Sequence, residues 1–435
     1  MKALIVSLES FQKGEVPEEV KEFIIKNHGN VFTILDESSK IKTNAPCKES
    51  KKSKRTQAIL QLNRIGHRCI LTGTFMSKTP VNAYDQMKFL SPSFFPEGMF
   101  SFAERYEIRR TLQVRRGARV LLPQKDYERI RSSLMRHKAD PVRLLGTMNS
   151  IYTYYGISRA DCEFIMEHEE YTPFKNVDEL WSRIGDTCIH LKKDDILDIP
   201  PKVYKTYKVE LTPEQKKLYL QLQNQHCTDN IAVDNGLKLY LRFQDICNGY
   251  EPVETEETVI VNEEEKHKVE LIPLKENPKL DLLEELVEDI GEEQIVIWCS
   301  RAKLLHDAKD RLVNLGYHCG VYDGKVKRED REKDYEAFEK KELQILFVNQ
   351  SSGAYGLDGL KQANYAIYLC NSYSVEQREQ SEDRIYRGLV STNKYIYDLT
   401  CQGTCEDRVV EALKQGKELL DTGMTDASLF LLKEE

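Results

Sequence analysis

The stretch Ile295-Val296-Ile297-Trp298 decides the fold of the second half of the chain. It is a short apolar run of β-branched and aromatic residues, which is typical of a strand buried on both faces. A helical pattern follows, with leucines on one face between Leu304 and Leu315, and Gly316 ends it. A buried strand followed by an amphipathic helix predicts one unit of an α/β fold.

The same alternation continues towards the end of the chain. Further strands are predicted at residues 318–322, 345–348, 366–369 and 395–399, and helices at about 328–340, 376–387 and 406–420. Alternating strands and helices predict a parallel sheet that is covered on both faces. Right-handed crossovers then give a doubly wound domain, which binds ligands at the carboxyl ends of its strands.

The beginning of the chain has the same pattern with fewer strands, predicted at residues 3–7, 31–35 and 68–72. Three strands are few for such a sheet, so this first domain is expected to be incomplete. We predict four regions: residues 1–90 as the incomplete sheet domain, 91–200 as a helical, arginine-rich insertion, 201–277 as a helical segment with an acidic hairpin or linker, and 278–435 as the second sheet domain.

Composition sets further bounds. The 435 residues are 40% hydrophobic and 31% charged, and allow two or three domains. No apolar run approaches the roughly 18 residues of a membrane span, and the N-terminus lacks the pattern of a signal peptide. The 11 cysteines are scattered, which suits a reducing compartment, so we expect a cytoplasmic protein without membrane contact. Cys401 and Cys405 lie close together, but no second pair completes a zinc site.

A net charge of −8 argues against general binding to polyanions, but basic residues are concentrated locally. An arginine-rich stretch contains the candidate DNA-binding residues Arg105, Arg109, Arg110, Arg115 and Arg116. Such a stretch either grips a phosphate backbone or forms a solvated helix face.

Two acids follow an apolar strand at residues 31–35, namely Asp36 and Glu37. The carboxyl end of a strand is where a nucleotide-bound Mg²⁺ lies in an α/β sheet. Asp36 suits the metal, and Glu37 suits the orientation or deprotonation of an attacking water. Taken alone, the dipeptide is more typical of a turn at a strand end than of a metal site.

Three further segments carry polar or glycine residues at comparable places. They are Leu71-Thr72-Gly73-Thr74 after the next strand, the glycine-rich Ser351 to Gly359 with Ser352, Gly353, Gly356 and Asp358, and the helical stretch from Gln380 to Arg387. Amides of the glycine-rich segment are candidates for contact with DNA phosphate or nucleotide. Arg384 and Arg387 share a helix face, and their permanent charge suits a γ-phosphate.

The order of these segments resembles helicase superfamily two, and more narrowly the Swi/Snf-type DNA translocases, including phage-encoded members. Similar stretches are residues 36–42, 71–86, 192–202, 244–249 and 277–280. The resemblance implies two RecA-like lobes, with residues 1–90 as the C-terminal part of lobe 1 and residues 278–435 as lobe 2. It also implies ATP and Mg²⁺ as cofactors and DNA as a partner that is gripped through its backbone.

The resemblance also implies roles for individual residues. Asp36 and Glu37 hold Mg²⁺ and activate water, and Arg384 and Arg387 act as arginine fingers beside Gln380. The residues that couple nucleotide state to the lobes are Thr72, Gly73, Thr74, Gly356 and Asp358. Departures from the family pattern are Ser39 in place of histidine, Phe75 in place of proline, and Gly388-Leu389 after the second arginine.

The largest departure is that the sequence has no G-x-x-x-x-G-K-[ST] loop. Its two Gly-Lys pairs, Gly324-Lys325 and Gly416-Lys417, lack the glycine spacing and the following hydroxyl residue. Lobe 1 is therefore expected to lack a strand and to leave apolar surface uncovered. We expect the chain alone to be inactive, with the loop supplied either by a missing N-terminal segment or by a separate polypeptide. The alternatives are a non-catalytic helicase remnant that binds DNA or protein, and an unrelated nucleotide-binding enzyme.

Overall fold

The structure is a computed structural model in which the chain divides into two units, Met1–His190 and Leu191–Glu435. It describes residues 2–41, 53–73, 75–76, 79–111, 119–189, 191, 200–225, 227–228, 231–232, 236–261, 264–353, 357, 359–386 and 392–414. Each unit has hydrophobic cores of its own. Within these ranges, no helix combines the length and the apolar character that a membrane span requires.

The second unit is built on a parallel sheet of six strands, which confirms the predicted α/β architecture. The strands are β5 (Lys202–Val209), β10 (Ile295–Cys299), β11 (Cys319–Tyr322), β12 (Ile345–Asn349), β13 (Tyr365–Cys370) and β14 (Lys394–Cys401). Their order across the sheet is β11-β12-β10-β13-β14-β5. The predicted strands of this half lie within one or two residues of the observed ones.

Helices cover both faces of this sheet. They are Pro213–Gln225, Gly236–Cys247, Pro278–Ile290, Ala302–Asn314, Arg328–Glu339, Gln350–Gly353, Val375–Ile385 and Cys405–Lys414. Alternate residues of β10 point to opposite faces, so Ile295 and Ile297 join one core while Val296 and Trp298 join the other. All residues of β10 are buried. The doubly wound arrangement therefore explains the uninterrupted apolar run in the sequence.

The strand β5 was not predicted, because residues 201–277 were interpreted as helical and acidic. It pairs in parallel with β14 along its whole length, from Lys202 opposite Lys394 to Val209 opposite Cys401. Lysines at three of its eight positions hide the apolar pattern, and such charges are tolerated because β5 is an edge strand. The predicted acidic hairpin is present as β8 (Tyr250–Val261) and β9 (Glu264–Pro273). Two short strands, β6 (Cys227–Thr228) and β7 (Ile231–Ala232), pair nearby.

The first unit contains a small parallel sheet of β1 (Phe32–Leu35) and β2 (His67–Ile70). Its helices are Glu18–Lys26, Lys54–Leu60, Asn82–Leu90, Met99–Tyr106, Gln124–Arg136, Pro141–Tyr155, Arg159–Glu167 and Val177–Gly185. The predicted strand at residues 3–7 is wrong, since residues 2–7 have no strand neighbour and lead into a 3-10 turn at Leu8–Phe11. Residues 109–111 and 119–121 form an antiparallel pair, β3 (Arg109–Thr111) and β4 (Arg119–Leu121).

One face of the β1–β2 sheet is apolar and exposed. Phe32 is 63% exposed, Ile34 is 57% exposed and Leu71, directly after β2, is 49% exposed. Parallel sheets are normally covered on both faces, so this surface is unusual.

A buried ion pair joins two helices of the second unit. The Lys279 ammonium, which is fully buried, donates to both carboxylate oxygens of Glu406 at 2.6 and 2.7 Å and to Asn248 Oδ1 at 2.9 Å. Burial alone would lower the pKa of Lys279, but the adjacent Glu406 raises it above its usual value. Lys279 therefore keeps its proton in the folded protein.

We expect Lys279→Met to destabilise the second unit by about 3–5 kcal/mol, because it leaves Glu406 buried without its cation. The chain has two tryptophans, and Trp298 is fully buried in the second unit. Urea unfolding followed by Trp298 fluorescence in a Trp181→Phe background measures this unit. Lys303→Met, which removes an exposed partner of Asp307, is the control and should cost under about 1 kcal/mol. Equal losses for both variants would contradict the prediction.

Candidate functional site

The two acids predicted to hold a metal lie beside the next strand end. Because β1 and β2 are parallel with Leu35 opposite Ile70, both strands end at the same edge. The Leu71 amide donates to Leu35 O at 2.9 Å, and the Ser38 amide donates to Leu71 O at 3.0 Å. Asp36 and Glu37 therefore adjoin residues 71–73, as the sequence predicted.

The backbone turns sharply at the acids. Glu37 has a φ of 49°, in the left-handed region that is uncommon for a residue with a side chain. Asp36 Oδ1 accepts the Glu37 amide at 2.9 Å. Asp36 is exposed and Glu37 is half-buried. This turn presents two carboxylates of different accessibility at the end of β1.

A buried glutamine holds the acidic turn against the loop after β2. Ser38 Oγ donates to Gln86 Oε1 at 2.6 Å, and Gln86 Nε2 donates to Phe75 O at 2.7 Å and Asn82 O at 2.8 Å. Both Ser38 and Gln86 are fully buried. Gln86 ends one of the stretches that resemble the Swi/Snf-type family, but its sequence position predicts no role for it. Its three bonds make it the residue that ties the two predicted site segments together.

The side chains at this edge fit a magnesium ion better than they fit a nucleotide. Carboxylate oxygens are the ligands that Mg²⁺ takes, usually one or two from protein with the rest from water and phosphate. Asp36 and Glu37 meet that requirement. A phosphate cradle of backbone amides with a lysine is missing from the sequence of residues 1–435. Thr72 is half-buried and Gly73 is exposed beside the acids, while Thr74 lies outside the described residues.

The predicted arginine helix is present at Val375–Ile385 and begins with Ser374 as its cap. Arg384 lies half-buried in its last turn, and Arg387 lies outside the part of the chain that the structure describes. Gln380 Oε1 is buried and has no hydrogen-bond partner among the described residues. The helix thus carries both a predicted finger and a polar group that is free to accept a hydrogen bond from a further group.

A buried arginine that the sequence analysis missed fixes this helix to the sheet. Arg378 Nη1 donates to Asn371 Oδ1 at 2.7 Å, its Nη2 donates to Asp398 Oδ2 at 3.1 Å, and its Nε donates to Glu382 Oε1 at 2.6 Å. Its guanidinium carbon lies 3.5 Å from the centre of the Tyr368 ring. Arg378 is 6% exposed and Asp398 is 0% exposed. The helix is therefore ion-paired to β14 and stacked against β13.

The same cluster extends to the edge strand. Lys202 Nζ and Tyr204 OH donate to Glu382 Oε2 at 2.9 and 2.7 Å. Burial alone would raise the pKa of Glu382, but Arg378 and Lys202 together hold it below its usual value. Burial, with Glu382 beside it, raises the pKa of Tyr204. Side chains of the three strands β5, β13 and β14 thus converge on one helix.

The glycine-rich segment after β12 begins as a helical turn, Gln350–Gly353, rather than as a loop. Ser352 Oγ accepts the Gly324 amide at 3.1 Å, and Gln350 Oε1 accepts the Ser372 amide at 2.7 Å. These bonds join the segments that follow β11, β12 and β13 at the carboxyl edge of the sheet. Gly353 belongs to this helical turn, and Gly356 and Asp358 lie outside the described residues.

Each arginine of the basic stretch that the structure describes is paired with an acid. Arg105 Nη2 lies 2.8 Å from Glu179 and its side chain is 52% exposed, while Arg110 pairs with Asp126. Arg109 is 4% exposed and its Nη1 lies 2.6 Å from Glu107. The interpretation of Arg109 as a DNA-binding residue is corrected, because its guanidinium is used inside the fold. Arg115 and Arg116 lie outside the described ranges.

Two stretches that resemble the entry to lobe 2 meet each other. Asn277 Nδ2 donates to Asn248 O at 2.8 Å, and Gln244 Nε2 donates to Asn371 O at 2.9 Å. Gly249 has a φ of +83°, and a Cβ there would lie 2.4 Å from Asn277 Nδ2. Only glycine fits at position 249, because Asn277 Nδ2 lies so close to its backbone. Gln244 also contacts Asn371, the residue whose side chain accepts a hydrogen bond from Arg378.

Cys401 lies in a buried cluster with Cys247 and Glu406. Possible metal ligands among the described residues are Cys247, Cys401 and Glu406, whose ligand atoms lie within 4.8 Å of one another. Glu406 is already bound by Lys279 on both oxygens. The hydrogen bond to Cys247 and burial raise the pKa of the Cys401 thiol. The cluster is thus an ion-paired core with protonated thiols.

Models of two protein families match the two halves of the chain. A family model described as the SNF2-related domain matches residues 2–250, and one described as the helicase conserved C-terminal domain matches residues 278–388. Protein CHROMATIN REMODELING 4 of Arabidopsis thaliana is 25% identical over 265 residues, 58% of this chain. Chromodomain-helicase-DNA-binding protein 8 of Danio rerio is 22% identical over 278 residues, 59% of this chain. An uncharacterized ATP-dependent helicase of Mycoplasma genitalium is 22% identical over 62% of this chain.

The chain spans 12%, 11% and 25% of the lengths of these three relatives. Among solved structures, the C-terminal part of the Fun30 ATPase domain is 15% identical with a TM-score of 0.39, covering 53% of this chain and 94% of that one. The Sulfolobus solfataricus SWI2/SNF2 ATPase core in complex with dsDNA is 15% identical with a TM-score of 0.37, covering 92% of this chain and 71% of that one.

We expect Gln86→Ala to destabilise the first unit by about 1–3 kcal/mol, because it removes the acceptor for Ser38 and the donor to two backbone carbonyls, those of Phe75 and Asn82. Urea unfolding followed by Trp181 fluorescence in a Trp298→Phe background measures the change. Gln124→Ala, which removes an exposed bond to Glu128, is the control and should change stability by less than about 0.5 kcal/mol. A Gln86→Ala variant as stable as the control would show that Ser38 does not depend on it.

We expect Arg378→Leu to destabilise the second unit by about 3–5 kcal/mol, because Asp398 then stays buried without a cation. Adding Asp398→Asn should restore part of that loss, since the uncompensated charge is removed. Trp298 fluorescence during urea unfolding reports both variants. Arg328→Leu, at a surface pair with Glu332, is the control. Losses that simply add in the double variant would rule out the ion pair as the cause.

Proposed function

We propose, because the chain belongs to the SNF2-related family, that it forms part of an ATP-driven DNA translocase. The observation that carries this proposal is the pair of adjoining strand ends that bring Asp36 and Glu37 beside Thr72 and Gly73. Acids at the carboxyl end of a parallel strand are the arrangement that phosphoryl transfer requires.

The two acids have separate tasks in this proposal. Asp36, the exposed carboxylate, holds Mg²⁺ together with Glu37, and the ion when bound neutralises phosphate charge. Glu37 also orients the attacking water and accepts its proton. The turn at Glu37, fixed through Ser38 and Gln86, keeps both carboxylates at the strand end. Thr72, Gly73 and Thr74, which come after the neighbouring strand β2, couple the state of the bound nucleotide to movement of the protein.

The second unit contributes positive charge to the γ-phosphate. Arg384 and Arg387 act as arginine fingers, with Gln380 beside them. Support comes from the helix at Val375–Ile385, which the Arg378 cluster holds rigidly. Rigid placement is worth a large part of the rate enhancement in phosphoryl transfer. Gly356 and Asp358 sense nucleotide or DNA in the same unit.

DNA is gripped through its phosphates and not by base sequence. Arg105 and Arg110 are the accessible arginines of the described basic stretch, and Arg115 and Arg116 complete it. Ser352 and Gly353 add amides at the carboxyl edge of the second sheet. Since Arg105 and Arg110 are ion-paired in the free protein, DNA must exchange their acidic partners for phosphate.

The phosphate-binding loop comes from a polypeptide segment outside residues 1–435. Two observations support this part of the proposal: the sequence has no such loop, and Phe32, Ile34 and Leu71 form an exposed apolar face on a two-stranded parallel sheet. A further strand and its helix would cover that face, as is usual for parallel sheets. The missing loop also favours the second candidate function, a helicase remnant that binds DNA without turnover.

The test is DNA-stimulated ATP hydrolysis by this chain, alone and with the polypeptide encoded immediately upstream. We expect turnover only in the mixture. In that mixture Asp36→Asn and Arg384→Ala should each lower turnover at least about 100-fold, because each removes charge stabilisation from the transition state. Arg328→Ala, an exposed arginine on a surface helix, is the matched control and should leave turnover unchanged.

The outcomes separate the candidates. Hydrolysis by the isolated chain would contradict the proposed source of the phosphate loop. DNA binding without hydrolysis in either sample would favour the non-catalytic remnant. A mixture in which Arg384→Ala is as active as the Arg328→Ala control would remove Arg384 from the finger role.

A further inference from the structure

Two cysteines face each other at the carboxyl edge of the second sheet. Cys299 ends β10 and Cys370 ends β13, and they are register partners across these parallel strands. Both are fully buried. The register shifts between Trp298 and Cys299, so Cys299 lies opposite Cys370 at an irregularity of the sheet. The side chains of Cys299 and Cys370 are in hydrogen-bonding contact, which places the two sulfurs close enough to form a disulfide.

The sulfur of Cys370 is surrounded by hydrogen-bond donors. Ser300 Oγ donates to it at 3.3 Å and Asn248 Nδ2 donates at 3.4 Å. The Cys299 thiol, which donates to Arg301 O at 3.3 Å, also contacts Cys370, and the charge of the buried Lys279 ammonium acts on Cys370. The hydrogen bond from Cys299, followed by the charge of Lys279, lowers the pKa of Cys370 to about 7 against the effect of burial. These contacts favour a thiolate, which is the reactive form of cysteine.

Cys299 is in the opposite condition. Burial and its contact with Cys370 raise the pKa of its thiol well above the usual value, so it keeps its proton. The pair thus consists of one sulfur poised to attack and one protonated sulfur beside it. A thiolate beside a second thiol is what formation of an intramolecular disulfide requires.

We propose that Cys299 and Cys370 form a reversible intramolecular disulfide when the protein meets a hydroperoxide. The Cys370 thiolate attacks one peroxide oxygen, the O–O bond breaks, and the leaving hydroxide takes a proton to become water. The Cys299 sulfur then attacks the resulting sulfenic acid, its proton leaves with the hydroxyl group as a second water, and the S–S bond forms. Two thiols are oxidised and one peroxide is reduced.

A second buried pair of cysteines provides a contrast within the same unit. Cys247 and Cys401 lie within 4.8 Å of each other beside the Glu406 carboxylate. Burial raises the pKa of Cys247, and the hydrogen bond between the two thiols raises that of Cys401. Proximity alone would allow either pair to be oxidised. The donors around Cys370 select the pair with Cys299.

Oxidation would occur next to Asn371, which holds the helix Val375–Ile385 through Arg378. Cys370 precedes Asn371, whose side chain accepts from Arg378 and donates to Asp398 at 2.8 Å. A disulfide sulfur is a poorer acceptor than a thiolate, so Ser300 and Asn248 lose a partner. The modification therefore changes contacts directly beside Asn371, whatever reaction the chain performs.

The experiment uses the full, reduced chain treated with hydrogen peroxide, quenched by alkylation, digested and examined by mass spectrometry. We expect a cross-linked peptide pair containing Cys299 and Cys370 as the first disulfide, with the loss of two of the 11 thiols, restored by dithiothreitol. The rate of its formation should rise with pH around a midpoint near 7, as the Cys370 thiolate forms. A midpoint above about 8.5 would contradict the thiolate environment.

Serine variants assign the roles. Cys299→Ser should leave Cys370 as a sulfenic acid that dimedone traps, whereas Cys370→Ser should leave Cys299 unoxidised. Cys401→Ser is the matched buried control and should not change the cross-link. Circular dichroism checks that each variant is folded. The appearance of a Cys247–Cys401 cross-link first, or the persistence of both Cys299 and Cys370 as thiols while other cysteines oxidise, would overturn the proposal in the unmodified chain.

Discussion

The organisation of the second unit depends on the ion pair between Arg378 and Asp398. Asp398 lies in the middle of β14 and has no access to solvent, so its charge is tolerable only with a cation held in contact. Arg378 supplies that cation from the helix that also carries Gln380 and Arg384. Because Glu382 and Asn371 satisfy the rest of the guanidinium, the position of the helix is determined by several bonds at once.

Much of this fold is encoded locally and could be predicted. Strands such as β10 and β12 are uninterrupted apolar runs, and the helices between them have amphipathic spacing, so their positions follow from the sequence. The acids after β1 and the residues after β2 were predicted to adjoin, since parallel strands end at one edge. The same logic failed at residues 3–7, where β-forming residues have no neighbouring strand to pair with.

The remaining features depend on partners that are distant in the sequence. β5 looks polar because its lysines face solvent, Glu382 or Asp407, and only its pairing with β14 makes it a strand. Gln86, Arg378 and Lys279 resemble ordinary surface residues until their partners are known. Arg109 is the opposite case. The sequence suggested an arginine of a basic surface, but its side chain is buried and forms an ion pair with Glu107. Local sequence patterns therefore identified where the strands end. They did not identify the polar side chains, such as Gln86 and Arg378, whose hydrogen bonds fix the segments around those ends.

The position of β5 has a mechanical consequence. The second unit begins at Leu191, and its edge strand β5 is paired with β14 over eight residues. Tension along the axis of β5 loads all of its hydrogen bonds to β14 together, in shear. A force perpendicular to the strands would instead break these bonds one after another from one end. A strand so joined bears load well in one direction and yields in the other.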